Sequence, residues 1–205
     1  IGWIPFDGGL YVAAEPNAAS TWFPCNDHPS DKASFRFDID VPRDVEAIAN
    51  GTKVEVVPDG ERTRWVWDAA DPMATYLATP VVGQFTLIEQ TGPNGLPILH
   101  AAADSISEEV ATETQDTVRM IDYFDDFFGP YPFATYGLIA LPVPIGFALE
   151  TQTRSLFGSD LFSLSSIRAH ELAHQWFGDS VSPRDWTDIW LNEGFATYLS
   201  GLCYE

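Results

Sequence analysis

Residues 165–179, SSIRAHELAHQWFGD, restrict what this chain can fold into more than any other stretch. The run is apolar at helical spacing, yet it carries His170, His174 and Glu171. On an α-helix, residues four apart share one face about a turn apart, so both imidazoles can point at one spot. Glu171 lies roughly 100° further round, near enough to reach a water there without becoming a ligand. An apolar helix does not tolerate such groups unpaired. Either core neighbours satisfy them, or they hold a metal. The H-E-x-x-H spacing suits zinc, which accepts imidazole and carboxylate ligands and can keep a position open for chemistry. A third acidic group strengthens the metal reading. Glu193, in WTDIWLNEGFATYLSG, follows His174 by nineteen positions, on a second helical segment beyond a turn at Ser182-Pro183. That interval suffices to finish one helix, turn and return along it. A Glu placed only to favour a helix N-terminus would not explain the offset. His170, His174 and Glu193 are therefore the expected ligands of one Zn2+, with Glu171 as the base.

Composition excludes several other classes. Ten Lys and Arg face 30 Asp and Glu, a net charge of -20 that repels phosphate backbones and anionic lipid. Nucleic acid is not an expected partner. Lys32 and Lys53 are the only lysines. At 205 residues and 45% hydrophobic, the chain has material for one large or two modest cores. No apolar run reaches the roughly 20 residues of a membrane helix. Cys25 and Cys203 lie far apart, outside any C-x-x-C pattern, and read as packing residues. The sequence assigns no compartment, and its start at Ile1 leads to the expectation that a piece precedes it.

The periodicity divides the chain in two. Residues 1–90 read as antiparallel β structure: ASFRFDIDV alternates, with Phe35, Phe37, Ile39 and Val41 on one face. Asn50-Gly51 predicts a hairpin turn, and Pro58-Asp59-Gly60 a second before RTRWVW. TYLATPVVGQFTLIEQ supplies one or two further strands, and TGPNGLP (91–97) is the expected domain junction. Beyond it, Ser105-x-x-Glu108 predicts a capping box ahead of a helix carrying Val110, Thr114, Val118, Ile121, Phe124 and Phe128, stopped by Gly129-Pro130. YGLIALPV reads as a buried strand and PIGFALETQT as a strand or edge. Helices are then expected over 163–177, ending at Gly178, and over 187–201. Fold class is thus α+β, with residues 1–90 and 91–205 as its parts.

These motifs resemble the gluzincin zinc aminopeptidases of the aminopeptidase N and leukotriene hydrolase type. HELAH with WLNEGFATY resembles that family's two ligand helices. WFPCNDHPSDKASF and MATYLATPVVGQF resemble the end of its N-terminal saddle-shaped β domain, and FALET its G-A-M-E-N exopeptidase motif. The resemblance implies a thermolysin-like catalytic portion after the β domain, with a peptide bearing a free N-terminus as substrate. It makes Glu150 the group that binds the substrate α-amine, helped by Glu15 in VAAEPN. It also implies substrate contacts along an edge strand including Gly146 and Ala148. Phe147 and Thr151 depart from the motif's first Gly and its Asn. The family's oxyanion-stabilising tyrosine has no counterpart at the expected place, since Tyr198 and Tyr204 lie in or beside the last helix. The resemblance therefore implies a central fragment that binds zinc and hydrolyses feebly.

Independent chemistry points the same way, because a carboxylate in the apolar run IGFALETQ needs a cation or a hydrogen-bond network, with Arg154 the nearest candidate in sequence. Asp185 and Asp188 read as helix caps, or as acceptors behind a ligating histidine. Two competing functions share the ligand helices. One is a thermolysin-like zinc endopeptidase, which needs no amine anchor; the other is a non-catalytic module pinned by zinc.

Overall fold

The computed structural model describes residues 2–204 as three sheets and four helices. Strands β1 (Ile4–Phe6), β2 (Gly9–Tyr11), β4 (Glu46–Ile48) and β7 (Val81–Gly83) form an antiparallel sheet in the order β1-β2-β7-β4. A second antiparallel sheet has β6 (Arg62–Met73) between β3 (Ala33–Pro42) and β5 (Thr52–Asp59). The alternation in β3 is as expected, with Phe37 and Val41 buried and Phe35 and Ile39 half-buried on the same face. The turn at Gly60 joins β5 to β6 as predicted.

Two turn assignments are corrected. Asn50-Gly51 closes no hairpin, because the strands on either side of it pair in different sheets. It is a buried corner. Asn50 Nδ2 donates to the carbonyls of Leu77 at 3.0 Å and Gln152 at 2.7 Å, while its Oδ1 accepts the Thr79 N–H at 2.7 Å. Gly51 takes φ +83°, and a Cβ there would meet the Asp68 carbonyl at 2.2 Å. Nor does the 91–97 stretch separate domains. It is the tip of a hairpin between β8 (Phe85–Thr91) and β9 (Pro97–Ala103), which pair along their full length. The sheet changes at Gln84 instead, between β7 and β8, so a boundary at 90/91 would cut one sheet in two.

The third sheet runs β11-β12-β10-β9-β8, with β10 (Leu138–Ala140), β11 (Ala148–Leu149) and β12 (Ser155–Phe157). The strands β9, β10 and β12 are parallel, and β8 and β11 are antiparallel to their neighbours. The predicted edge strand is therefore present but only two residues long. Helix α1 (Ser107–Glu113) has no side-chain cap, because Ser105 lies within a preceding 3-10 turn, so the expected capping box does not form. The long helix expected after it is broken by a 3-10 turn at Thr114–Asp116, where Thr114 Oγ1 donates back to the Val110 carbonyl, and resumes as α2 (Thr117–Phe128). Gly129, at φ +86°, ends α2 as predicted. Helices α3 (Ser165–Ala173) and α4 (Ile189–Leu202) pack together over a core of Met120, Ile121, Phe124, Leu172, Trp176, Ala196 and Leu199. Turn bonds extend α3 as far as Phe177, and Gly178 then leaves at φ +139°. No described helix is long and apolar enough to cross a membrane.

One lacing holds the β half to the segment after β11. Arg154 Nη2 donates to the Gly51 carbonyl at 2.9 Å and Nη1 to that of Leu99, with the guanidinium 5.2 Å from the Trp67 ring centroid. Gly51 N–H in turn donates to Thr153 Oγ1 at 2.7 Å.

Candidate metal centre and its acidic pocket

Helix α3 and the turn that follows it present His170 and His174 one turn apart, and α4 brings Glu193 to them. The two Nε2 atoms are 3.0 Å apart, and they lie 3.3 Å and 3.7 Å from the Glu193 carboxylate oxygens. Ligand atoms of a tetrahedral zinc with bonds near 2.1 Å stand about 3.4 Å from one another. The three observed distances bracket that value, so the donor set fits zinc in both chemistry and spacing. His174 Nδ1 faces the Phe177 carbonyl at 3.1 Å and donates to it in the neutral ring, which leaves the Nε2 lone pair free. Burial, with His170 adding to it, lowers the His174 pKa to about 4 and keeps that ring neutral. Glu193 is held below its ordinary value, first by its hydrogen bond with His170. The partner behind His174 is thus a backbone carbonyl. Asp185 instead faces His28 at 3.6 Å, and neither it nor Asp188 caps its helix through its side chain.

More carboxylates converge on the same point. Ligand atoms of Glu150, Glu171 and His174 lie within 4.8 Å of one another, as do those of Glu15, Glu150 and Glu193. Glu171 and Glu150 are buried and Glu15 half-buried. Burial is the first cause that raises each, to about 7 for Glu150 and about 8 for Glu15, and well above the ordinary value for Glu171; neighbouring carboxylates add to it. Among the described residues, Arg154 is engaged with the carbonyls of Leu99 and Gly51 rather than with Glu150. The partner of Glu150 is Tyr76, whose hydroxyl lies 3.4 Å from Oε1. Gly146 (φ +77°) gives its N–H to Asp160 Oδ2 at 3.1 Å, whereas Ala148 sits in β11, which has one side unpaired in the sheet.

Three residues of this neighbourhood escaped the sequence reading: Tyr76, Gln175 and Asp179. Asp179 is fully buried, and among the described residues neither of its carboxylate oxygens has a hydrogen-bond partner. Burial pushes its pKa well up, the Glu150 charge adds to this, and Lys32 opposes it. The Lys32 ammonium donates to the carbonyls of Asp179 at 2.7 Å and Ser180 at 3.2 Å. Polar residues in the run HQWFGD were the available signal for Gln175 and Asp179; Tyr76, in an apolar strand-like context, offered none.

Comparison with known proteins decides the family. Residues 112–205 match the Peptidase family M1 domain, and residues 11–77 the Peptidase M1 N-terminal domain. The chain belongs to the peptidase M1 family. Aminopeptidase M1 of Arabidopsis thaliana is 32% identical over 205 residues, which are 93% of this chain and 23% of that protein. Probable aminopeptidase 1 of Sulfurisphaera tokodaii is 32% identical over 211 residues, 96% of this chain and 27% of that protein. The chain thus spans about a quarter of the length of these curated relatives. Among solved structures, the M1 zinc metallopeptidase from Deinococcus radiodurans superposes with a TM-score of 0.89 at 34% identity, over 99% of this chain and 47% of that one. A variant of that enzyme bound to a Tyr-Ser-Ala substrate gives a TM-score of 0.90 at 34% identity, over the same shares of the two chains. The α+β class and the partial M1 catalytic domain are therefore established, and the relatives named are aminopeptidases and zinc metallopeptidases.

Proposed function

We propose that this chain carries the zinc site and the amine-recognition site of an aminopeptidase that removes N-terminal residues from peptides. The observation that carries the reading is the convergence of His170, His174 and Glu193 with Glu171, Glu150 and Glu15 in one pocket. His170, His174 and Glu193 would hold Zn2+, which would supply Lewis-acid polarisation of a carbonyl and make water at the site more acidic. Glu171 takes the proton of the attacking water and returns it to the leaving amine as the peptide bond breaks. The cation's charge favours ionised Glu171 against the burial that otherwise raises it.

Glu150 and Glu15 bind the substrate α-ammonium, which supplies the positive charge that a buried and a half-buried carboxylate close together require. That anchor limits hydrolysis to the first peptide bond. The unpaired side of β11 at Ala148, with Gly146 two residues before it, adds main-chain hydrogen bonds to the substrate as an extra strand would. The two-part division of the chain, with its boundary moved to Gln84, then sets Glu15 on one part and the ligand helices on the other.

Peptides with free and acetylated N-termini distinguish this from the endopeptidase reading. The expected result is zinc-dependent binding and cleavage of the free-amine peptide only. Equal handling of both peptides would overturn the amine assignment.

A further inference from the structure

Gln175 follows His174 directly, is fully buried and uses both ends of its amide. Nε2 donates to the Glu150 carbonyl at 3.1 Å. Oε1 accepts the Thr153 N–H at 2.7 Å and the Tyr131 hydroxyl at 3.1 Å. One side chain on the ligand-helix turn therefore clamps both ends of the 150–153 segment. That segment does not hold its shape by local preference. Thr153 has φ +66°, the left-handed region, where a β-branched residue is strained. Such a conformation persists only where its surroundings over-determine it. Here they do, with the Thr153 N–H on Gln175 and its Oγ1 accepting from Gly51.

We infer that Gln175 is a positioning residue that fixes Glu150 relative to the metal centre, and so sets recognition of the substrate's free amine. The inference rests on the amine-binding role proposed for Glu150. Gln175 touches neither metal nor substrate. It converts the position of the His174 turn into the position of the Glu150 backbone, so both halves of the pocket move as one body. A purely structural glutamine would instead support the fold without favouring one ligand chemistry.

The test uses the full zinc-loaded chain and two probes, L-leucine amide and N-acetyl-L-leucine amide, with affinities from calorimetry and zinc content by mass spectrometry. Gln175→Glu keeps the volume and both acceptor contacts but loses the amide donor; Gln175→Leu loses all three bonds. Both should bind zinc one-to-one, while the preference for the free amine falls about tenfold in Gln175→Glu and further in Gln175→Leu. Combined with Glu150→Gln, which removes the preference by itself, Gln175→Glu should add no further loss. If Gln175→Leu does not fold, Gln175→Glu and the double variant decide. A preference within threefold of wild type in Gln175→Glu would overturn the inference. So would zinc affinity falling in parallel with amine affinity, which would place the effect on the ligand helix itself. No preference in the wild-type chain would remove the Glu150 reading, and this inference with it.

Discussion

Stripping the metal should make the Glu150 carboxyl a measurable, pH-dependent burden on the fold. Burial raises it from the ordinary 4.5 to about 7. The folded chain thus holds a proton that the unfolded chain releases, so the contribution to stability is full below about pH 4.5 and is lost as pH rises through 7. At 1.36 kcal/mol per pH unit between those values, the loss between pH 5 and pH 8 is about 2–3 kcal/mol. Buried imidazoles titrate against this. His174, lowered to about 4, and His100, lowered to about 3, both destabilise the fold as pH falls below their ordinary 6.5. Both remain in Glu150→Gln, so the difference between that variant and wild type removes their titration and reports the Glu150 carboxyl together with its coupling to Glu15, Glu171 and Asp179. Thermal melts in chelator at pH 5, 6, 7 and 8 should show Glu150→Gln gaining on wild type by about 5–10 °C across the range, at 2–4 °C per kcal/mol for a chain of this size. Zinc should reverse the trend, because ligands bind it only when deprotonated. Parallel melting curves for the two metal-free proteins would refute the argument, since a solvated Glu150 would carry no such proton.

Three further outcomes follow from the geometry. Glu171→Gln should retain zinc at wild-type stoichiometry while hydrolysis of an aminoacyl-anilide is lost; His174→Ala should fail to retain zinc under the same analysis. Arg168, buried in α3, donates to Asp116 at 3.0 and 3.2 Å and to the Phe162 carbonyl at 2.6 Å, so Arg168→Met should cost about 1–3 kcal/mol in urea unfolding by taking the donor from the half-buried Asp116 and from that carbonyl. Gly51→Ala should cost more than Gly60→Ala in the same assay. Both positions have positive φ, but only Gly51 would drive a Cβ into the Asp68 backbone, at 2.2 Å.

The candidate metal set was legible because its information is local. His170, Glu171 and His174 are placed by helical geometry alone, and Glu193 needs only one turn and a second helix. The β3 alternation and the Gly129 stop were readable for the same reason. What failed was set by pairing over long distances. Asn50-Gly51 has hairpin chemistry, but its partners are residues 77, 79 and 152, and no window around position 50 contains them. The 91–97 stretch has the composition of a linker because a tight hairpin tip needs the same Gly and Asn. Ser105-x-x-Glu108 has the spacing of a capping box, yet a 3-10 turn shifts the helix start past the serine. Glu150 was placed by resemblance, and Gln175 was missed because its bonds span 22, 25 and 44 positions.

The acidic pocket also gives the composition a meaning that the bulk charge does not. Glu15, Glu150, Glu171, Glu193 and Asp179 come from four separate stretches of chain, and burial penalises the charge of each of them. The basic group that opposes this at Asp179 is Lys32, which immediately precedes β3 and reaches across to the loop beyond α3. A fold that merely needed solubility would leave such groups at the surface. Gathering them costs stability unless cations arrive, and two kinds of cation match the two halves of the cluster. A divalent metal matches the imidazole-bearing half, and a monovalent ammonium matches Glu150 and Glu15. Under the proposed function, the second match would set an amine anchor beside the metal. Each bound cation lowers the cost of ionising the carboxylates that receive the other, so metal and amine binding should reinforce one another. Zinc affinity should therefore rise when a saturating free-amine ligand is present and stay unchanged with its acetylated counterpart. Equal zinc affinity with both ligands would separate the two halves of the pocket and remove the basis for treating them as one site.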